Sequence, residues 1–255
     1  VRYNAARVLG EMGDSKAVEP LIDVLKHDKN GSVRLYAARA LGELGDSKAT
    51  THLIESLRED RNVDVRVRAA RALGRLGGAI VVEPLVEALN DENPQVCITA
   101  TDALIEIGDV ATDALIESLD HEKVNVRCDA TRALGEIGNK KAVDKVINML
   151  YDEWVNVRIY AVTSLGKLND TKAVPALIDV MKNRNENELV RAGAAAALGV
   201  LRDQRALLPL RELIMEAEEL GELEDTALKS FKKIMAANWQ SIPGATVQKK
   251  PAATF

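Results

Sequence analysis

The stretch from Val33 to Leu57 reads VRLYAARALGELGDSKATTHLIESL, and close copies of it fill most of the chain. The copies begin at Val1, Val33, Val65, Val96, Val126, Val157 and Val190. The period is therefore 30 to 33 residues. A period of this length is typical of solenoids, in which each repeat is one helical hairpin that stacks on its neighbours. The sequence predicts one elongated all-α array.

Each repeat contains two amphipathic helices separated by a turn. An asparagine three residues before the repeat valine, such as Asn30, is expected to cap the first helix, whereas Lys123 and Trp154 occupy that position in two repeats. A glycine such as Gly45 suits the left-handed conformation that ends a helix. The second helix is predicted from about residue 18 to residue 26 in the first repeat.

The end of the repeat pattern divides the chain into three parts. We predict a repeat array over residues 1–218, a capping helix over residues 219–240 and a disordered tail over residues 241–255. The predicted repeats lie near residues 1–30, 31–62, 63–93, 94–123, 124–154, 155–187 and 188–218. Because the chain begins in mid-pattern, we expect a processed product or a portion of a longer protein.

Composition excludes several classes of function. A net charge of -5 and a pI near 5.4 give no general attraction to nucleic acid, although a local basic face stays possible. Two cysteines, Cys97 and Cys128, are too few for a disulfide framework and form a poor metal set. With no signal peptide or membrane-spanning run in the sequence, we expect a soluble, cytoplasmic protein without cofactor or metal.

The pattern V-R-x-x-A-x-x-A-L-G-x-[LI]-G-D, followed by A-V-x-x-L-I-[DE]-x-L, resembles the HEAT-like repeats of phycobilin lyases over residues 1–218. This resemblance implies a right-handed α-solenoid whose first helices are convex and whose second helices line a concave groove. It does not specify a function, since this scaffold serves many tasks.

Some members of the wider family are enzymes. Deoxyhypusine hydroxylase-like members hold two irons with several His-Glu pairs, whereas this chain has one such pair, His121-Glu122. Alkylpurine DNA glycosylase-like members need a basic groove with aromatic residues and a carboxylate. Bilin lyase-like members share the repeat pattern most closely, but no nucleophile or base can be matched residue by residue.

An internal comparison of the repeats predicts a structural ladder of charges. A turn acid or amide and the next repeat's arginine are jointly lost at one junction, where Gly78 and Cys97 replace them. We therefore predict that each turn residue bonds the arginine of the following repeat, and a ligand-binding role for the arginines is the alternative. The predicted pairs are Asp14 with Arg34, Asp46 with Arg66, Asp109 with Arg127, Asn139 with Arg158, and Asp170 with Arg191.

Two sets of residues are candidates for binding a partner. Equivalent positions of the second helices carry acids: Asp23, Glu55, Glu87, Glu117, Asp179 and Glu212. This acidic row would attract a basic partner if it lines a groove, or it is a solvated helix face. The aromatic pair Tyr151 and Trp154 is either an interface anchor or a cover over a helix end.

First helices carry a further stripe, Arg7, Arg39, Arg71 and Arg132, which is a basic patch for an acidic partner or a set of local ion pairs with glutamates four residues later. From these patterns we predict a non-catalytic scaffold that binds a protein or peptide on its concave second-helix surface. A bilin lyase or lyase subunit is the alternative, and nucleic-acid binding is disfavoured by charge.

Overall fold

The computed structural model describes residues 1–216 and 221–239, and its helices alternate between two kinds. The first helices are α1 (Arg2–Met12), α3 (Gly31–Leu44), α5 (Val63–Leu76), α7 (Pro94–Ile107), α9 (Val124–Ile137), α11 (Val155–Leu168) and α13 (Glu188–Leu201). The second helices are α2 (Val18–His27), α4 (Thr50–Glu59), α6 (Val82–Glu87), α8 (Thr112–Glu117), α10 (Val143–Asn148), α12 (Val174–Lys182) and α14 (Leu207–Met215). A further helix, α15 (Glu222–Trp239), lies within residues 219–240, where the capping helix is predicted, and the tail predicted over 241–255 lies outside the described residues.

The helices form two compact units, Val1–Lys145 and Val146–Phe255. In the first unit, α1, α3, α5, α7 and α9 pack on one another in sequence, and each of α2, α4, α6 and α8 packs against the first helix that follows it. In the second unit, α11 packs on α13 and α13 on α15, with α12 and α14 against α13 and α15. The predicted all-α solenoid of stacked helix pairs is confirmed. Across the described ranges, no helix has the length and apolar character needed to cross a membrane.

The predicted caps are confirmed at both ends of α3, whereas Gly77 and Gly108 end α5 and α7 with a positive φ but outside the left-handed helical region. The side chain of Asn30 accepts a hydrogen bond from the backbone N–H of Ser32 at 2.9 Å, whereas Lys123 and Trp154 provide no side-chain cap. Gly45 ends α3 with a φ of 68°. Arg202 takes the equivalent place after α13 with a φ of 54°, a conformation that strains a residue carrying a Cβ.

A second glycine within the first helix sets the distance between α3 and α5 and between α5 and α7. A Cβ added to Gly42 would lie 2.9 Å from the Cα of Ala72, and one added to Gly74 would lie 3.0 Å from the Cα of Ala103. Only glycine permits this approach. In α7 the equivalent residue is Ile105, which lies 31 positions after Gly74. A side chain of that size prevents α7 and α9 from packing by the same close contact.

Candidate functional site

Three repeat arginines, Arg2, Arg34 and Arg66, join consecutive repeats through charged hydrogen bonds, and those of Arg34 and Arg66 are largely buried. Arg34 Nε and Nη2 donate to the two carboxylate oxygens of Asp60, both at 2.7 Å, and Arg34 Nη1 donates to the carbonyl oxygen of Asp28 at 2.8 Å. This bidentate bond to Asp60 raises the pKa of Arg34. Arg34 therefore ties the junction before α3 to the junction after α4, the second helix of the same repeat.

The next repeat forms the same arrangement. Arg66 Nε and Nη2 donate to the Asp91 carboxylate at 2.8 and 2.9 Å, and Nη1 donates to the carbonyl oxygen of Asp60 at 2.9 Å. Arg2 Nε in turn donates to Asp28 at 2.7 Å. We call Arg2, Asp28, Arg34, Asp60, Arg66 and Asp91 the arginine ladder.

This ladder corrects the partners predicted from the sequence. We predicted that Asp14 binds Arg34 and that Asp46 binds Arg66, but both arginines bind acids that follow the second helices. The turn acids have a local role instead. Asp14 accepts from the backbone N–H of Lys16 and Asp46 from that of Lys48, each two residues on, and these bonds cap the 3-10 turn between the two helices of a repeat.

The other predicted ladder residues are also placed differently from the prediction. Asn139 Nδ2 donates to Asp109 at 3.0 Å, so two turn residues bond each other, and the side chain of Asp170 accepts from the backbone N–H of Lys172. The remaining three arginines bond the following groups: Arg127 to the carbonyl oxygen of His121, Arg158 to Glu186 and the carbonyl oxygen of Asp152, and Arg191 to the carbonyl oxygen of Met181.

The ladder changes its chemistry at Cys97, which occupies the arginine position of α7. Its Sγ lies 3.3 Å from the carbonyl oxygen of Asp91, the place that an arginine Nη1 takes elsewhere. Burial raises the pKa of this thiol. His121 stands where Asp60 and Asp91 stand in other repeats, and its Nδ1 accepts from the backbone N–H of Lys123 at 3.0 Å. The arginine position and the aspartate position that would bind it are thus both occupied by other residues, Cys97 and His121, at the same junction.

The acidic row of the first unit lies on exposed faces of the second helices, but part of it is neutralised. Arg58 Nε and Nη2 donate to both carboxylate oxygens of Glu87 at 2.7 and 3.0 Å, which raises the pKa of Arg58. The Nδ1 of His52 lies 3.2 Å from Glu55 Oε2. Glu117 has no hydrogen bond or ion pair within the residues that the structure describes. Asp23 Oδ1 lies 3.8 Å from His27 Nε2, so within the described residues Glu117 is the one unpaired acid of a row of mixed charge.

The second unit has a shorter acidic row. Asp179 is exposed on α12, and Glu212 on α14 lies 3.0 Å from Lys182 Nζ. Lys182 bonds Glu212 of the next second helix and not Asp179, which lies three residues before Lys182. Arg58 likewise bonds Glu87 and not Glu55. Tyr151 and Trp154 stand in the same unit with exposed fractions of 65% and 52%. Exposed aromatic residues of this size are frequent anchors of interfaces.

Sequence reasoning missed Asp28, Asp60 and Asp91 as partners of the arginines. The signal was present, because each lies two residues before a capping asparagine and His121 replaces this aspartate next to the repeat that lacks the arginine. Asp129 was also missed. Burial raises the pKa of its carboxyl, and Asp102 adds to this effect while Arg132 opposes it.

No group of three His, Cys, Asp or Glu side chains in residues 1–216 and 221–239 is arranged to hold a metal ion. Cys97 and Cys128 are unbridged.

Comparison with known proteins gives the following likenesses. A family model described as HEAT repeats matches residues 1–73, 50–124, 82–157, 112–184 and 144–230. The comparison with curated proteins found no match.

Among solved structures, the complex of CpcE and CpcF of phycocyanin lyase from Nostoc sp. PCC7120 is similar with a TM-score of 0.54 and 21% identity, covering 60% of this chain and 99% of that chain. The YibA protein of Escherichia coli has a TM-score of 0.52 and 24% identity, covering 89% and 85% of the two chains. Human deoxyhypusine hydroxylase has a TM-score of 0.45 and 22% identity, covering 92% and 90%. At these identities, the first two likenesses concern the fold alone.

Proposed function

The chain belongs to the family of HEAT repeat proteins, and on that premise we propose that it is a non-catalytic scaffold that binds a partner protein or peptide. Stacked helix pairs offer an extended surface, since every second helix contributes a similar exposed face. Many weak contacts along such a face, with a few strong anchors, are sufficient for specific binding. The observation that carries the proposal is the row of exposed acids on successive second helices.

We place the proposed contact surface on α2, α4, α6 and α8 of the first unit. Asp23, Glu55, Glu87 and Glu117 occupy equivalent exposed positions on these four helices. The ion pair between Arg58 and Glu87 neutralises the middle of this surface, so a complementary partner carries basic residues near Glu117. Surface charges of this kind favour the correct partner and register.

Exposed aromatic residues supply a second argument for a binding role. Aromatic residues make up only 3% of the chain, yet Tyr151 and Trp154 are both exposed at one turn of the second unit. A large apolar side chain in water is unfavourable unless another surface covers it. We propose this turn as an anchor for a partner, independent of the acidic row.

Charge reversal in the acidic row tests the proposal. Partners captured from a native cell extract by the unmodified protein are identified by mass spectrometry and then measured one at a time by calorimetry. Glu117→Lys is expected to weaken binding of the true partner about tenfold, because it places like charges opposite each other. Glu122→Lys, in the loop after α8, makes the same change of charge and is the control. Equal affinities for all three proteins would contradict the proposed surface.

A tetrapyrrole lyase, or a subunit of one, is the alternative proposal. It is favoured by the likeness to the phycocyanin lyase complex, which extends over 99% of that chain. The experiment mixes the protein with a bilin and an acceptor protein and follows absorbance together with covalent attachment. Attachment that depends on this protein would replace the scaffold proposal by a catalytic one.

A further inference from the structure

The first helix of the third repeat, α5, breaks a charge pattern that the two first helices before it keep. In α1, Arg7 Nη1 donates to Glu11 at 2.6 Å, and in α3, Arg39 Nε donates to Glu43 at 2.7 Å. Each pair joins residues four apart on one exposed helix face, which is a stabilising arrangement. The equivalent residues of α5 are Arg71 and Arg75, so an arginine replaces the glutamate.

A third arginine adds to this charge. Arg68 lies on α5 at the position that Tyr36 occupies in α3, three residues before Arg71. Like charges at such spacings destabilise a helix slightly. No carboxylate oxygen in the described ranges lies within 4.0 Å of a guanidinium nitrogen of Arg68, Arg71 or Arg75. The helix therefore carries three arginines without an acidic partner.

The three arginines border a groove between α3 and α5. Its volume is about 280 Å³, and its lining contains four arginines, including Arg39, and one glutamate, Glu43. Because Arg39 is paired with Glu43, the unpaired charge belongs to α5. The close approach of Gly42 to Ala72 brings the two helices together at this groove.

We propose that this groove binds an acidic helical segment of a partner protein. Arg68 and Arg75 are seven residues apart, which corresponds to about 10 Å along a helix axis. A row of this length exceeds the size of one phosphate and matches carboxylates on successive turns of a helix of the partner protein. Guanidinium groups bind carboxylates in a planar, bidentate geometry, so the three arginines can each engage one acid.

This surface lies on the first helices and is separate from the acidic row of the second helices. Binding of an acidic segment at the groove can therefore be disproved while the proposed scaffold function of the second helices holds, and the scaffold function can be disproved while binding at the groove holds. The net charge of -5 means that the arginines form a local positive region on an acidic protein, and this local charge attracts an acidic partner to the groove.

The test uses the whole protein and a synthetic helical peptide with glutamates three and four residues apart. A second peptide with glutamine at the same places is the matched ligand control. Arg75→Glu restores the arginine-glutamate pattern of α1 and α3, so it is expected to keep or slightly raise the thermal midpoint. The same change is expected to weaken binding of the glutamate peptide at least tenfold, measured by fluorescence anisotropy.

Arg61→Glu is the matched protein control, because Arg61 is exposed in the loop after α4 of the same unit and undergoes the same change of charge. The proposal predicts less than a twofold loss of affinity for this control and no binding of the glutamine peptide. Equal losses in both variants, or no binding by the unmodified protein, overturn it. So does displacement of the peptide by equimolar pyrophosphate, which would indicate a simple oxyanion site. Self-association that Arg75→Glu abolishes would identify a second copy as the occupant and also overturn it.

Discussion

Removing the charge of Asp91 tests whether the arginine ladder stabilises the first unit. Asp91→Asn keeps an oxygen that can accept from the backbone N–H of Asn93, so the cap survives while the ion pair with Arg66 is lost. The side chains of Arg66 and Asp91 are 7% and 12% exposed. Breaking a buried pair costs about 3–5 kcal/mol, whereas an exposed pair is worth at most about 1 kcal/mol. Since these side chains are nearly buried and asparagine still accepts one bond, we expect a loss of about 2 kcal/mol.

The same geometry at the surface provides the control. Arg58 and Glu87 also form a bidentate pair between neighbouring repeats, but their side chains are 46% and 49% exposed. Glu87→Gln is therefore expected to lower the free energy of unfolding by less than about 1 kcal/mol. Urea denaturation followed by circular dichroism measures both variants, and the comparison separates burial from geometry.

A double-mutant cycle completes the test. Arg66→Met leaves the Asp91 carboxylate without its guanidinium, and combining it with Asp91→Asn removes both charges, as Cys97 and His121 do in the next repeat. The double variant is expected to be more stable than the sum of the single effects by about 1–2 kcal/mol. Additive effects, or equal losses at Asp91 and Glu87, would refute the reasoning.

Three further predictions follow from single residues. Burial raises the pKa of Asp129 above the ordinary value of 3.8, so ionisation of this carboxyl opposes folding. Asp129→Asn should therefore raise the free energy of unfolding at pH 7 by up to about 1 kcal/mol. In urea melts at decreasing pH, this gain should vanish as the pH falls below 3.8, where the carboxyl is protonated in both states. Lys123→Asn supplies the side-chain cap that α9 lacks and should add about 0.5–1 kcal/mol in urea melts, with no gain expected from a control Lys123→Ala. Arg202→Gly relieves a φ of 54° and should raise the thermal midpoint in calorimetry, an effect of about 1 kcal/mol; a lower midpoint would contradict the strain.

Local features of the fold could be predicted because they depend on neighbouring residues. A side chain such as Asn30 caps a helix two residues away, and a glycine such as Gly45 ends one through its own backbone. The small residues at helical spacing also identify the buried faces. For these reasons the repeat period, the helices and the solenoid class followed from sequence pattern alone.

The partners of the charged residues could not be predicted in this way. Arg66 has several acids at comparable distances along the chain. It binds Asp91 and not Asp46 because the packing of α6 places the junction that follows this helix beside Arg66. The acidic row was visible in the sequence, but its neutralisation by Arg58 was not, because that pair joins different repeats.

The sequence by itself determined the repeat period, the helices with their caps, and which face of each helix is buried. Only the tertiary structure decided which charges meet: Arg34 with Asp60, and Arg58 with Glu87. It also placed Arg68, Arg71 and Arg75 together at one groove. The physical reason is distance, since capping and burial act within one or two helical turns, whereas ion pairs between repeats depend on packing that brings residues 25 or more positions apart into contact.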